Sequence, residues 1–231
     1  MGLYEIAGLT VQMDVTGRTL KQAAPYACRD NRPVDITLEC DPRQVLAYNS
    51  QIGDLDTAQY LGTGACFARA LLKNRGFQLH ASAVALEGKG YLFTAPCGAG
   101  KSTHAEKWRR LFGAQCINDD KPALRLTEEG WMAWGTPWSG KHDLSSPMGV
   151  RLGAIACLQR SDRNHIELLE PERSVPMLLS QCLRQLSAEQ MDAQLTLLDQ
   201  LIRQVPVWLL ECRDDDQAAL LSRQMMTGVA R

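Results

Sequence analysis

The chain has 231 residues, with 25 Lys and Arg against 26 Asp and Glu, for a formal net charge of −1. A balance this close to neutral argues against nucleic acid or an anionic membrane surface as a partner. With 45% hydrophobic and 22% charged residues, the chain has the mix of a soluble globular protein, long enough to bury a core without metals or disulfides.

Residues 1–18, MGLYEIAGLTVQMDVTGR, lack a charged start followed by a long apolar run, so no signal peptide is expected. No stretch of about 18 apolar residues occurs, so no membrane span is expected and a cytoplasmic location follows. The eight cysteines, Cys28, Cys40, Cys66, Cys97, Cys116, Cys157, Cys182 and Cys212, form no C-x-x-C pair and no zinc-type Cys/His spacing. They read as reduced thiols used as small hydrophobes. Cys97 stands apart because it lies inside a Gly-rich turn. There it is either a small loop residue or an oxidation-sensitive thiol at a helix start.

Residues 1–56 read as short strands and turns, with alternation in LTVQMDV (9–15) and VDITLEC (34–40) around a turn-rich CRDNRP link. Residues 57–74 place Tyr60, Cys66, Phe67, Ala70 and Leu71 at helical intervals, with Gly76 as a stop. FQLHASAVAL (77–86) and GYLFTA (90–95) read as strands joined by a hairpin turn at EGKG. STHAEKWRRLF (102–112) reads as a helix ended by Gly113. AQCINDD (114–120) reads as a strand with two carboxylates at its end. ALRLT (123–127) and WMAWG (131–135) form a second hairpin, followed by a loop over 136–149. GAIACLQR (153–160) and HIELLE (165–170) read as strands. Ser174–Arg203 carries one helical pattern, VPVWLLEC (205–212) is a late strand, and RDDDQAALLSRQMM (213–226) is a last helix. The division is a β-rich segment plus helix over 1–75 and a catalytic unit over 76–231, together one compact body.

Residues 95–102, Ala-Pro-Cys-Gly-Ala-Gly-Lys-Ser, match the phosphate-loop pattern G-x-x-x-x-G-K-[ST] except that Ala95 replaces the first glycine. The chemistry needs small residues, so that successive backbone N–H groups can face phosphate oxygens. It also needs glycines at positive φ, which Gly98 and Gly100 supply. A helix starting at Ser102 adds its N-terminal dipole. In this pattern Lys101 reaches the β/γ-phosphates and the Ser102 hydroxyl ligates Mg²⁺. Asn118-Asp119-Asp120 follows at a strand end, where two carboxylates can divide metal binding from proton abstraction. Of the histidines, His80 lies in an apolar strand. His104 points away from the phosphates along its helix. His142 sits in a loop able to face the nucleotide, and His165 is a surface strand residue. Trp138 either packs in the core or lines an acceptor site.

Four segments, HASAV (80–84), APCGAGKST (95–103), NDDKP (118–122) and GTPWSGKH (135–142), together resemble HPr kinase/phosphorylase and its wider kinase group. The resemblance covers residues 57–170 and fades toward the C-terminus. It implies an α/β fold with a mixed, largely antiparallel sheet around a P-loop, like the C-terminal domain of HPr kinase and the nucleotide domain of phosphoenolpyruvate carboxykinase. It implies an ATP-dependent kinase that transfers the γ-phosphate to a serine hydroxyl on a peptide, protein or small molecule, with Mg²⁺. By that resemblance ATP phosphates would lie against Cys97, Gly98, Ala99, Gly100, Lys101, Ser102 and Thr103. Ser102 and Asp119 would serve the metal, Asp120 would be the base, and His80 would set the base's ionisation. The glutamate that HPr kinases carry after the paired aspartates is absent, and Lys141 stands in that region to supply positive charge instead. Arg173 and Arg184 are candidates for a later arginine. Residues 1–75 do not resemble the HPr kinase N-terminal domain, and a homo-oligomer is left open. The alternatives are a P-loop nucleotide hydrolase and a nucleotide-sensing module without a phosphoacceptor.

Overall fold

The computed structural model describes residues 1–28, 32–49 and 51–228. Half of the link expected at CRDNRP, residues 29–31, lies outside these residues. The N-terminal part is a three-stranded sheet of β1 (Gly2–Ile6), β2 (Leu9–Met13) and β3 (Ile36–Leu38). β1 and β2 form an antiparallel hairpin through Ala7 and Gly8, both at positive φ, as a two-residue turn of this kind demands. β3 lies parallel to β2.

Residues 1–56 are not strands and turns alone. They also hold α1 (Gly17–Ala23) and α2 (Pro42–Tyr48). In α2, the Asp41 side chain accepts from the Arg43 N–H at 2.9 Å and Pro42 starts the helix, a clear start signal. Both helices have only seven residues, too few to show a helical period. α3 (Leu55–Lys73) is capped by the Asp54 side chain. It packs Tyr60, Phe67 and Leu71 against the inner faces of β1, β2 and β3.

The second sheet has nine strands: β4 (Gly76–Gln78), β5 (Ala81–Leu86), β6 (Lys89–Thr94), β7 (Gln115–Asn118), β8 (Ala123–Thr127), β9 (Gly130–Trp134), β10 (Gly149–Arg160), β11 (His165–Leu168) and β12 (Val207–Cys212). The main path runs β4-β8-β9-β10-β6-β5-β7, with β12 beside β10 and β11 beside β12. Pairings β6–β10 and β10–β12 are parallel, and the others are antiparallel. The sheet is therefore mixed and largely antiparallel. The β5–β6 hairpin turns at Glu87 and Gly88, both at positive φ.

Helices cover both faces. α4 (Lys101–Phe112) and α7 (Asp216–Gly228) pack on one side, and α5 (Pro171–Leu179) and α6 (Ala188–Gln204) on the other. β10 shows the consequence. Ala154, Ala156 and Leu158 face α4 and α7, while Ile155 and Cys157 face α5 and α6. Successive side chains alternate across a strand, so a strand covered on both faces reads as one unbroken apolar run.

Two expected elements are each split. The strand over 77–86 breaks at Leu79 and His80, where the His80 N–H donates to the Gln181 carbonyl (2.9 Å) instead of a neighbouring strand. The helical pattern over 174–203 becomes α5 and α6. Ser187 starts α6 with a capping box to Gln190, and the intervening turn is what brings Gln181 to His80. Trp138 belongs to the core. It is 1% exposed, stacks on Phe67 at 4.9 Å between centroids, and donates its indole N–H to Thr63 Oγ1. No helix among the described residues is long and apolar enough to cross a membrane.

Candidate active site

The Gly-rich segment lies between β6 and α4, the strand–turn–helix context that the pattern needs. Gly98 has φ 77° and Gly100, the residue before α4, has φ 106°. An L side chain is strained at these angles. A Cβ at either glycine would meet nothing within 4 Å. The requirement for glycine is therefore conformational, and the space around the loop stays open. No side chain caps α4, which leaves its first N–H groups available to an anion. Lys101 is 7% exposed and folds back over the loop, donating to the carbonyls of Ala95 (2.9 Å) and Pro96 (3.4 Å). Burial lowers its pKa, with Asp120 pulling the other way.

Asn118 organises the carboxylate pair. It is fully buried at the end of β7. Its amide donates to the carbonyls of Thr136 and Trp138, each at 3.1 Å, and its oxygen accepts from the N–H groups of Asp120 (2.9 Å) and Lys121 (2.6 Å). One side chain thus ties the turn after β7 to the loop after β9. Asp119 accepts from the Gly140 N–H at 2.5 Å. A Cβ at Gly140 would stand 3.2 Å from that carboxylate, a tight contact. Asp120 Oδ1 lies 3.2 Å from His80 Nε2, and His80 Nδ1 lies 3.2 Å from Gln181 Oε1. In the doubly protonated ring both nitrogens donate to these oxygens.

The two carboxylates have opposed titration. For Asp119, burial raises the pKa, the Gly140 N–H opposes this, and the Asp120 charge adds to the rise. For Asp120, burial pushes upward but is outweighed by the His80 hydrogen bond and charge, with help from Lys121 and Lys101, so its pKa falls. Divergent environments for neighbouring carboxyls are what separates an acid or ligand role from a base role.

The loop, Lys101, His80 and both carboxylates open onto one cleft of about 820 Å³. His80, residues 97–103, Asp119, Asp120, Lys141 and His142 line it. Arg173 and Arg184 do not. Arg173 pairs with Glu167 and Arg184 donates to the Ser180 carbonyl. Three cations that the sequence reading did not single out do line the cleft: Lys107, Arg160 and Arg213. Arg160 donates to the Gly98 carbonyl at 2.7 Å. Its place follows from the parallel register of β10 with β6, which no local pattern reveals. Gln181 was missed for the same reason, since its partner is distant in sequence.

The donor set suits a hard cation. Among the described residues no cluster of three or more His, Cys, Asp or Glu side chains is arranged to hold a metal. Magnesium does not need one, because it binds through one or two carboxylates with phosphate and water oxygens. The Ser102 hydroxyl lies 3.4 Å from Ser82 Oγ, which in turn donates to the Asp119 carbonyl. Ser102 and Asp119 thus offer oxygen donors on one side of the cleft.

His104 turns away from the loop. It is 4% exposed, edge-on to Phe93. Its Nε2 lies 2.9 Å from Ser222 Oγ, which also accepts from Trp108 Nε1. Burial drives the His104 pKa down to about 4, Lys107 adds to this, and Asp214 opposes it.

No family model matches the chain, and no curated protein matches it. Among solved structures, the HPr(Ser) kinase/phosphatase from Coxiella burnetii is similar at 14% identity, with a TM-score of 0.37 over 65% of this chain and 99% of that one. Roles for residues of this chain therefore rest on its own geometry and motifs.

Two stability measurements check this description. Asn118→Ala removes two donors and an acceptor from a buried site and is expected to lower unfolding free energy in urea by about 2–4 kcal/mol. A loss below about 0.5 kcal/mol, the range of plain surface substitutions, would contradict the organising role. In the unfolded chain His104 titrates near its ordinary 6.5, and in the folded chain near 4. Below pH 6.5 the unfolded chain binds a proton that the folded chain refuses. Stability present at pH 7 is then lost as pH falls toward 4, by about 3 kcal/mol from this residue. His104→Asn should flatten that part of the profile, and an unchanged slope would count against it.

Proposed function

We propose that the chain is an ATP-dependent kinase that transfers the γ-phosphate to a serine hydroxyl on a peptide, protein or small molecule, with Mg²⁺. The observation that carries the reading is the Asp120–His80 pair at 3.2 Å in the same cleft as the Gly-rich loop and Lys101. The resemblance of the four sequence segments to HPr-kinase-like proteins supports the choice of a serine hydroxyl.

Phosphoryl transfer is mainly positioning and charge stabilisation. The loop amides and the start of α4 would hold the donor's phosphates. Lys101 would leave the Ala95 and Pro96 carbonyls for the β/γ-phosphates as charge builds there. When bound through Ser102 and Asp119, Mg²⁺ supplies neutralisation of phosphate charge. Asp120, with its lowered pKa, is ionised at neutral pH and would accept the acceptor's hydroxyl proton. It is a weak base, but in a loose transition state the attacking oxygen becomes acidic only late, so a weak base suffices. His80 would hold that carboxylate in place from one side and Gln181 would hold His80 from the other. Lys141, at the rim, would add positive charge near the transferred group.

The test uses γ-labelled ATP and Mg²⁺ with a panel of free serine, serine-containing peptides and cell extract. Label on a serine acceptor is expected from the natural chain. Asp120→Asn should lower kcat by about 10²–10⁴-fold, and Lys101→Ala should remove transfer as well. Label found only in inorganic phosphate would favour the hydrolase reading. Full transfer by Asp120→Asn would remove Asp120 as the base.

A further inference from the structure

The cysteines show no local pairing pattern in the sequence, yet the fold brings two of them together. Cys40 follows β3 and immediately precedes Asp41, the cap of α2. Cys66 lies in the second half of α3. Two separate features place their sulfurs side by side. Cys66 Sγ lies 3.5 Å from the carbonyl oxygen of Glu39, the residue joined to Cys40. Cys40 Sγ lies over Gly62, which is one helical turn before Cys66 and on the same face of α3. The two thiols therefore interact directly.

Gly62 makes this approach possible. Glycine weakens the interior of a helix, but here a Cβ would collide with Cys40 Sγ and with Val45 of α2. Both cysteines are partly exposed, so a small oxidant has access to them. The element beside them is lightly held. α2 has seven residues, none of them buried, and a helix so short does not persist on its own. Its contact with α3 around Gly62 is what a covalent tie at Cys40 would reinforce.

We infer that Cys40 and Cys66 close into a reversible disulfide under a peroxide, and that this bond staples the start of α2 to α3. The inference does not use the phosphate-donor reading and stands or falls apart from it. Burial first, and then the neighbouring Cys66, push the Cys40 thiol up to about 11. Cys40 is thus protonated at pH 7 and is the slower nucleophile, so oxidation begins at Cys66. Peroxide transfers one oxygen to the Cys66 sulfur, which gives a sulfenic acid and one water. The Cys40 thiol then gives up its proton and its sulfur attacks the Cys66 sulfur. The S–O bond breaks, and the departing hydroxide takes up a proton as the second water. Two thiols have then lost two electrons and two protons to one peroxide. A dithiol reductant returns both thiols by exchange.

The experiment treats the fully reduced full chain with excess hydrogen peroxide, blocks the remaining thiols by alkylation, and digests without reduction for mass spectrometry. A peptide pair joined through Cys40 and Cys66 is expected, and dithiothreitol should release it. Hydrogen–deuterium exchange over residues 42–48 should slow by about tenfold in the oxidised chain, because the bond removes open states of α2. Cys40→Ser and Cys66→Ser should each lose the joined pair and the slowing, while the reduced variants exchange over 42–48 within about twofold of the reduced natural chain. That last comparison shows that the variants keep α2 in place. Both thiols still alkylating at excess peroxide, or either one joined to a different cysteine, would overturn the pair. A joined pair with unchanged exchange over 42–48 would overturn the staple.

Discussion

The site depends on the side chain of Asn118. It is buried at the end of β7 and joins the turn after that strand to the loop after β9, which also meet through the Thr136–Lys121 and Gly140–Asp119 hydrogen bonds. On one side it holds the backbone at Asp120 and Lys121. On the other it holds the carbonyls of Thr136 and Trp138. That link sets the distance between the paired aspartates and the 139–142 turn, where the Gly140 N–H meets Asp119. Trp138, locked under Phe67 and Thr63, anchors the same turn to α3 and through it to the N-terminal sheet. The N-terminal strands therefore bear on the site although they contribute no residue to the cleft's lining. In a low-dielectric interior a satisfied polar network of this kind specifies one arrangement, because any alternative leaves a buried group unpaired.

The second determinant is strand direction. Most of the nine-stranded sheet is antiparallel, but β6, β10 and β12 are parallel neighbours. Their ends converge on the loop between β6 and α4, which collects small residues, helix N–H groups and cations at one edge. On the opposite side of β6, the interruption between β4 and β5 leaves His80 out of the ladder and lets its ring bridge Asp120 and Gln181. The cleft therefore has two chemically different ends: a carboxylate–imidazole pair on one side, and Leu158 and Cys212 with the cations Arg160 and Arg213 on the other.

Much of this was legible in the sequence because the signals are local. Gly100 and Gly113, at φ 106° and 70°, mark the ends of α4. The EGKG turn gives the β5–β6 hairpin, the Gly-rich pattern nominates Lys101, the paired carboxylates nominate Asp120, and the resemblance to the kinase group nominates His80; the fold brings all three to one cleft. What was not legible depends on contacts distant in sequence. α1 and α2 are too short for periodicity to appear. The turn that separates α5 from α6 sits inside a run with a continuing apolar repeat. Arg160 sits at the end of an ordinary-looking strand and reaches the loop only because that strand runs parallel to β6. Trp138 has equal claims to core and site on composition alone, and its stacking on Phe67 settles the matter for the core.

The central claim is that the segment between β6 and α4 receives the phosphates of a nucleotide. Hydrogen–deuterium exchange of the full chain with and without Mg²⁺ and ATP addresses it most directly, because the backbone N–H groups are themselves the proposed ligands. Exchange over residues 97–103 is expected to slow when nucleotide is present, with no such slowing in Lys101→Ala. Unchanged exchange across that segment at saturating nucleotide, or protection confined to another part of the chain, would contradict it.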